Sequence, residues 1–130
     1  MSESTPQPHS PMPTALVSRP GILQQSLRAS LAACPGVEIV GAYGDGLTAL
    51  NAVAEHAPAL LVIDCNLLDE EVEALVAAVK ARQTTRCLVF TRSQQRDAWA
   101  WASGADAVIP RDGSLKELIQ VLTQFHDNLV

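Results

Sequence analysis

Leu60-Leu61-Val62-Ile63-Asp64-Cys65-Asn66 is the stretch on which the reading of this chain turns. Four aliphatic residues run without alternation into an aspartate. A continuous apolar run suits a strand covered on both faces, as in a parallel sheet, whereas a half-exposed strand alternates. A carboxylate closing such a run is costly to bury unless it is paired or opens into a crevice. In an open parallel sheet that crevice lies beyond the carboxyl ends of the strands. Asp64 is therefore either a cap for the following turn or a functional group.

Segments of the same kind recur on both sides. Ala15–Ser18, Val37–Tyr43, Cys87–Thr91 and Ala107–Pro110 read as further strands, all but the second continuously apolar. Helix patterns separate and follow them. Leu23, Leu27 and Leu31 stack at a spacing of four and stop at Cys34-Pro35-Gly36. Leu47, Leu50 and Val53 carry the next helix towards Pro58. Val72, Leu75, Val76 and Val79 form a stripe behind Asp69-Glu70-Glu71, acids that suit the positive end of a helix dipole. A shorter helix around Asp97–Ser103 ends at Gly104, and Ser114 with Glu117 forms a capping box ahead of Leu118, Ile119, Leu122 and Phe125. Five strand–helix repeats predict one α/β domain on a central parallel sheet.

Composition bounds the rest. The chain has 130 residues, 48% of them hydrophobic, enough for one domain with its own core. A formal charge of −5 argues against direct nucleic-acid binding by this segment. No apolar run approaches the roughly 18 residues of a membrane span, and Met1 to Pro13 carries no secretory pattern. Cys34, Cys65 and Cys87 are odd in number and far apart, which points to reduced thiols in a cytoplasmic protein. Pro6, Pro8, Pro11 and Pro13 lie among serines and glutamine without an apolar period, so residues 1–13 read as a disordered proline-rich tail. The expected domain is 14–126, with a short C-terminal tail at 127–130.

The folded part resembles the receiver domains of two-component response regulators, in particular those of helix-turn-helix transcription factors. The residues that carry the resemblance are Leu27-Arg28-Ala29-Ser30-Leu31, Pro35-Gly36-Val37-Glu38-Ile39-Val40-Gly41, Asp45-Gly46 with Ala49-Leu50, Pro58 ahead of Asp64, Thr91, and Gly104-Ala105-Asp106. The resemblance implies a flavodoxin-like (βα)5 fold, a doubly wound parallel sheet of strand order 2-1-3-4-5. It also implies a phosphoacceptor position at Asp64, a switch hydroxyl at Thr91, and Arg111 where the family has lysine. A role in phosphorelay signalling follows, as a non-enzymatic module. Its partner would be a histidine kinase, an output domain or a second copy in a homodimer, met through helix four, strand five and helix five.

The departures from the family pattern gather at one pocket. Receivers carry two acidic residues after the first strand; Ser18 and Arg19 stand there. Phosphoryl transfer to a carboxylate uses Mg²⁺, which carboxylates and waters hold. Asp64 between Arg19 and Arg111 makes a pocket near +1, and opposite charges at 4 Å are worth roughly 4 kcal/mol at an effective dielectric of 20. Arg19 is thus expected to pair with Asp64 in the metal's place, with Mg²⁺ weak or absent and no other cofactor. Val108 replaces the aromatic switch, Leu68 a proline, and the stretch from Thr91 to Gly104 is about two residues short of the family's usual length. Together these predict a pseudo-receiver with impaired phosphorylation.

Two alternatives stand beside this. One is a working phosphoacceptor with Asp69 or Glu70 as substitute metal ligand. The other is an anion or small-molecule sensor at Ser18, Arg19 and Arg111, on a turn that otherwise reads as an ordinary strand–helix connection with Pro20 in the first helical position. Cys65 reads as a packing residue, and His56 and His126 as helix-end residues without metal-ligand spacing. Trp99 and Trp101 point about 200° apart on one helix, so both cannot be buried, and one is a candidate interface anchor.

Overall fold

The structure is a computed structural model that describes residues 11–111 and 115–127. Along it β1 (Met12–Val17), α1 (Ile22–Ala32), β2 (Val37–Tyr43), α2 (Gly46–His56) and β3 (Leu60–Ile63) are followed by α3 (Asp69–Arg82), β4 (Arg86–Thr91), α4 (Asp97–Ala102), β5 (Ala107–Pro110) and α5 (Leu115–Asp127). All strand pairs are parallel, in the order β2-β1-β3-β4-β5, the flavodoxin-like (βα)5 arrangement.

Alternation along each strand splits the core into two layers. Val17, Leu61, Ile63 and Val89 face one side, where Val53 of α2, Val72, Val76 and Val79 of α3 and Ala100 of α4 cover them. Leu16, Leu60, Val62, Leu88 and Ile109 face the other, under Leu27 and Leu31 of α1 and Leu118, Leu122 and Phe125 of α5. The continuous apolar text of β3 follows directly from this double cover. Leu23 and Leu47 lie outside both layers, exposed at the starts of α1 and α2, so the expected stripes begin one turn later.

Met12 and Pro13, which composition assigns to the tail, are the first residues of β1. The Met12 N–H donates to the Gly36 carbonyl at 2.6 Å, and the Pro13 carbonyl accepts from the Ala59 N–H at 2.9 Å. Proline is tolerated because pairing with β3 starts only at Thr14 opposite Leu60, so the missing N–H breaks no ladder bond. At the other end α5 includes Asp127. Residues 1–10 and 128–130, and Ser114 of the capping box, lie outside the described residues.

Edge strand β2 carries a bulge. Thr14 pairs with Ile39 but Ala15 with Gly41, which leaves Val40 out of register and exposed. Gly41 leaves room for the Tyr43 hydroxyl, which folds back over it: a Cβ there would lie 2.2 Å from that oxygen unless the tyrosine swung aside.

Candidate functional site

Asp64 immediately follows β3 and is 1% exposed. Its Oδ1 accepts from the Cys65 N–H at 2.7 Å and lies 3.3 Å from Arg111 Nε, just past β5. Its Oδ2 accepts from Ser18 Oγ, just past β1, at 2.7 Å. Ser18, buried like Asp64, in turn accepts from Asn66 Nδ2 at 3.1 Å, while Asn66 Oδ1 accepts from the Arg19 N–H at 3.1 Å. The parallel sheet thus brings the ends of β1, β3 and β5 together, and both oxygens of the carboxylate are satisfied by protein donors. Arg111 Nε supplies the charge partner, and its guanidinium lies 5.6 Å from the centre of the Phe90 ring.

Arg19 does not pair with Asp64. Its Nη2 donates to Glu71 Oε1 at 2.7 Å and its Nη1 to the Gly44 carbonyl at 3.2 Å. Two contacts account for this. Ser18 already holds Asp64, and Asn66 fixes the Arg19 backbone so that its side chain leaves towards α2 and α3. Glu71 Oε2 also accepts the Gly46 N–H at 2.6 Å, so one carboxylate ties the β1–α1 connection to the starts of both helices. Pro20 lies two residues before α1, whose N-cap is Gly21 at φ 142°. No side chain caps that helix; the Gln24 amide instead turns back to the Ser18 carbonyl at 2.6 Å.

Thr91, the last residue of β4, is buried and donates through Oγ1 to Asp97 Oδ1 at 2.7 Å, at the start of α4. Asp64 and Thr91 line a common cavity with Asp69, Arg96 and Trp99. It holds about 10 Å³, the lower limit for a single water. Asp69 accepts from Arg96 Nη2, Arg96 lies 4.6 Å from the centre of the Trp99 ring, and Trp99 Nε1 donates to Glu73 Oε2 at 2.6 Å. α4 is therefore clipped to α3, and Trp99 is the inward tryptophan while Trp101 is 52% exposed.

These placements bear on the readings above. The sensor alternative needs Arg19 and Arg111 facing one space, and the structure engages them with different carboxylates, Glu71 and Asp64. The substitute-ligand alternative needs Asp69 or Glu70 beside Asp64; Asp69 pairs with Arg96, and Glu70 is exposed. Among the described residues no group of three or more His, Cys, Asp and Glu is placed to hold a metal. Around Asp64 the donor set is one carboxylate, a hydroxyl that already donates to it, an amide and a guanidinium. A hard divalent cation is held by oxygens, its own waters among them, and Asp64 is the one carboxylate in this set.

Glu71, Asp97 and Gln24 escaped sequence reasoning. Glu71 lay within an acidic run that a helix dipole already explained, and only a basic residue at position 19 hinted at its partner. Burial raises the Cys87 thiol to about 12, and burial, then the neighbouring Asp64 carboxylate, raises Cys65. Both act as packing thiols. Asp45 caps α2 by accepting the Thr48 N–H at 2.8 Å, the contact that chiefly holds its carboxyl below the usual range.

Solved structures share this fold. The fold matches the signal receiver domain of NarL from Mycobacterium tuberculosis at a TM-score of 0.79 and 18% identity, over 91% of this chain and 98% of that one. A LuxR-family two-component response regulator from Aurantimonas sp. SI85-9A1 matches at 0.76 and 22%, over 92% and 87%. RcsB from Salmonella enterica serovar Typhimurium, solved bound to promoter rprA, matches at 0.77 and 15%, over 91% of this chain and 61% of that one. The chain has the receiver fold of response regulators. No family model matches it, and a search of curated proteins finds no match.

Proposed function

We propose that the chain is a receiver-type protein-interaction module of two-component signalling in which Mg²⁺-dependent phosphorylation of Asp64 is impaired. The observation that carries the reading is that each oxygen of Asp64 already accepts a protein hydrogen bond, Oδ2 from Ser18 and Oδ1 from the Cys65 N–H, with Arg111 as its ion-pair partner where a phosphoacceptor needs a cation. Arg19 and Glu71 neutralise each other outside the pocket, so the local charge that would draw in Mg²⁺ is missing. Thr91, turned to Asp97, is held away from the switching role its position implies. The module is not an enzyme in this reading, needs no cofactor, and works in the cytoplasm.

The partner is a histidine kinase, an output domain or a second copy, met through α4, β5 and α5. Exposed Trp101 on α4 and Ile119 on α5 support that face. The test is a Mg²⁺ titration followed by backbone amide resonances. The expected result is no saturable shift at Cys65, Asn66 or Arg19 up to millimolar Mg²⁺. A saturable shift at those amides would return the chain to the working receivers.

A further inference from the structure

The segment from Arg92 to Gly104 is attached to the domain by little core. Ala100 is the only buried residue in it, and Trp99 is half-buried against the α2–α3 side of the sheet. Its helix, α4, has six residues and no side-chain N-cap, too short to be stable by itself. Elements with so few buried apolar groups open before the rest of a domain does.

Polar side chains supply the rest of the attachment. Asp69 and Glu73 stand four residues apart on α3, and Arg96 and Trp99 three apart on the facing segment, so each pair presents one side of its own turn. Arg96 Nη2 donates to Asp69 Oδ2, Trp99 Nε1 donates to Glu73 Oε2 at 2.6 Å, and the Arg96 guanidinium lies 4.6 Å from the centre of the Trp99 ring. The Thr91 hydroxyl holds Asp97 at the base of the segment. The Arg96 and Asp69 side chains are 35% and 41% exposed, so each contact is weak singly and is readily exchanged for water. Asp69, Arg96 and Trp99 also wall the cavity that Asp64, Cys65 and Thr91 line from the sheet side. At about 10 Å³ it has room for nothing larger than water while these residues meet.

We infer that residues 92–104 form a latched flap over the Asp64–Thr91 cavity, with Asp69 and Glu73 as the fixed half of the latch and Arg96 and Trp99 as the moving half. α3 is the fixed side because Val72, Leu75, Val76 and Val79 anchor it in the core. Release of the latch widens the cavity while the sheet beneath stays intact. The flap also carries exposed Trp101, so a partner that grips this tryptophan acts on a wall of the cavity. The latch is separate from the chemistry of Asp64: it works whether or not that carboxylate takes a phosphoryl group, and either statement can fail while the other stands.

Amide hydrogen exchange on the full chain tests the inference, with the Tm of each variant confirming the fold. The Ser103 and Gly104 N–H groups, which donate to the Trp99 and Trp101 carbonyls, report on the flap, and the amides of β3 report on the sheet. Arg96→Ala combined with Glu73→Ala should lower protection at Ser103 and Gly104 roughly tenfold and leave β3 unchanged. Trp99→Phe keeps a ring in place but loses the Nε1 donor, and should lower the same protection about threefold. Cys65 lines the cavity, so the double variant should also speed its labelling by a maleimide, while buried Cys34 and Cys87 stay unlabelled. Unchanged protection at Ser103 and Gly104, a fall shared equally by β3, or Cys65 labelling indifferent to the double variant would each overturn the inference.

Discussion

Ser18→Ala isolates the contact on which the site depends. The Ser18 hydroxyl donates to a carboxylate oxygen at 2.7 Å, and both residues are buried. Hydrogen bonds to charged groups are worth about 1.5–3 kcal/mol, and the alanine leaves buried Asp64 Oδ2 without its protein donor. Asn66 Nδ2 loses its acceptor as well, though it is half-buried and solvent takes part of that bond. The expected cost is therefore about 2 kcal/mol, which in a domain of this size lowers Tm by roughly 6–10 °C. Urea unfolding at neutral pH reads it as a fall in midpoint with an unchanged m-value, since the surface exposed on unfolding is the same. A loss below about 0.5 kcal/mol, the range of an ordinary surface substitution, would refute the reasoning. It would mean that water, not protein, satisfies Asp64, and that the carboxylate is open to a cation after all.

Further predictions follow from neighbouring contacts. Gly41→Ala should cost no more than about 1 kcal/mol, because the new methyl meets only the free end of half-buried Tyr43, which can swing aside, and the double variant with Tyr43→Ala should lose less than the two singles together in urea unfolding. Glu71→Gln keeps an acceptor for the Gly46 N–H but removes the ion pair with half-exposed Arg19, so unfolding should register no more than about 1 kcal/mol. The raised Cys87 thiol favours its protonated form only in the folded state. Its contribution is present below the unfolded value of about 8.5 and declines as pH rises towards 12, so Cys87→Ala should show a shallower alkaline loss of stability. The lowered Asp45 carboxyl works in the opposite direction: its contribution to α2 is present above about 3.9 and fades as pH falls below that, a fade that Asp45→Asn should remove from an acid titration of helicity.

Much of the fold is written locally. The unbroken apolar run Leu60–Ile63 requires cover on both faces, and the alternation with amphipathic helices leaves little besides a parallel sheet. What sequence reasoning missed depends on long-range geometry. Met12 and Pro13 look like tail because proline usually ends a strand, yet β3 begins too late to need the missing N–H. The positions of Ser18, Asp64, Thr91 and Arg111 at strand ends were legible from topology alone. The partners of Arg19 and Asp69 were not, because pairing by charge allows either arginine to meet Asp64. The Asn66 bond to the Arg19 backbone decides between them, and no local pattern announces it. Glu71, 52 residues from Arg19, is the same kind of case.

Intact-mass and peptide mapping after incubation with acetyl phosphate, with and without millimolar Mg²⁺, tests the central claim most directly. Ser18→Asp with Arg19→Asp, which restores the acidic pair, runs alongside as the comparison. The account predicts no Mg²⁺-dependent phosphoryl mass on Asp64 in the natural chain and measurable incorporation once the pair is restored. Mg²⁺-dependent incorporation at Asp64 in the natural chain would contradict it.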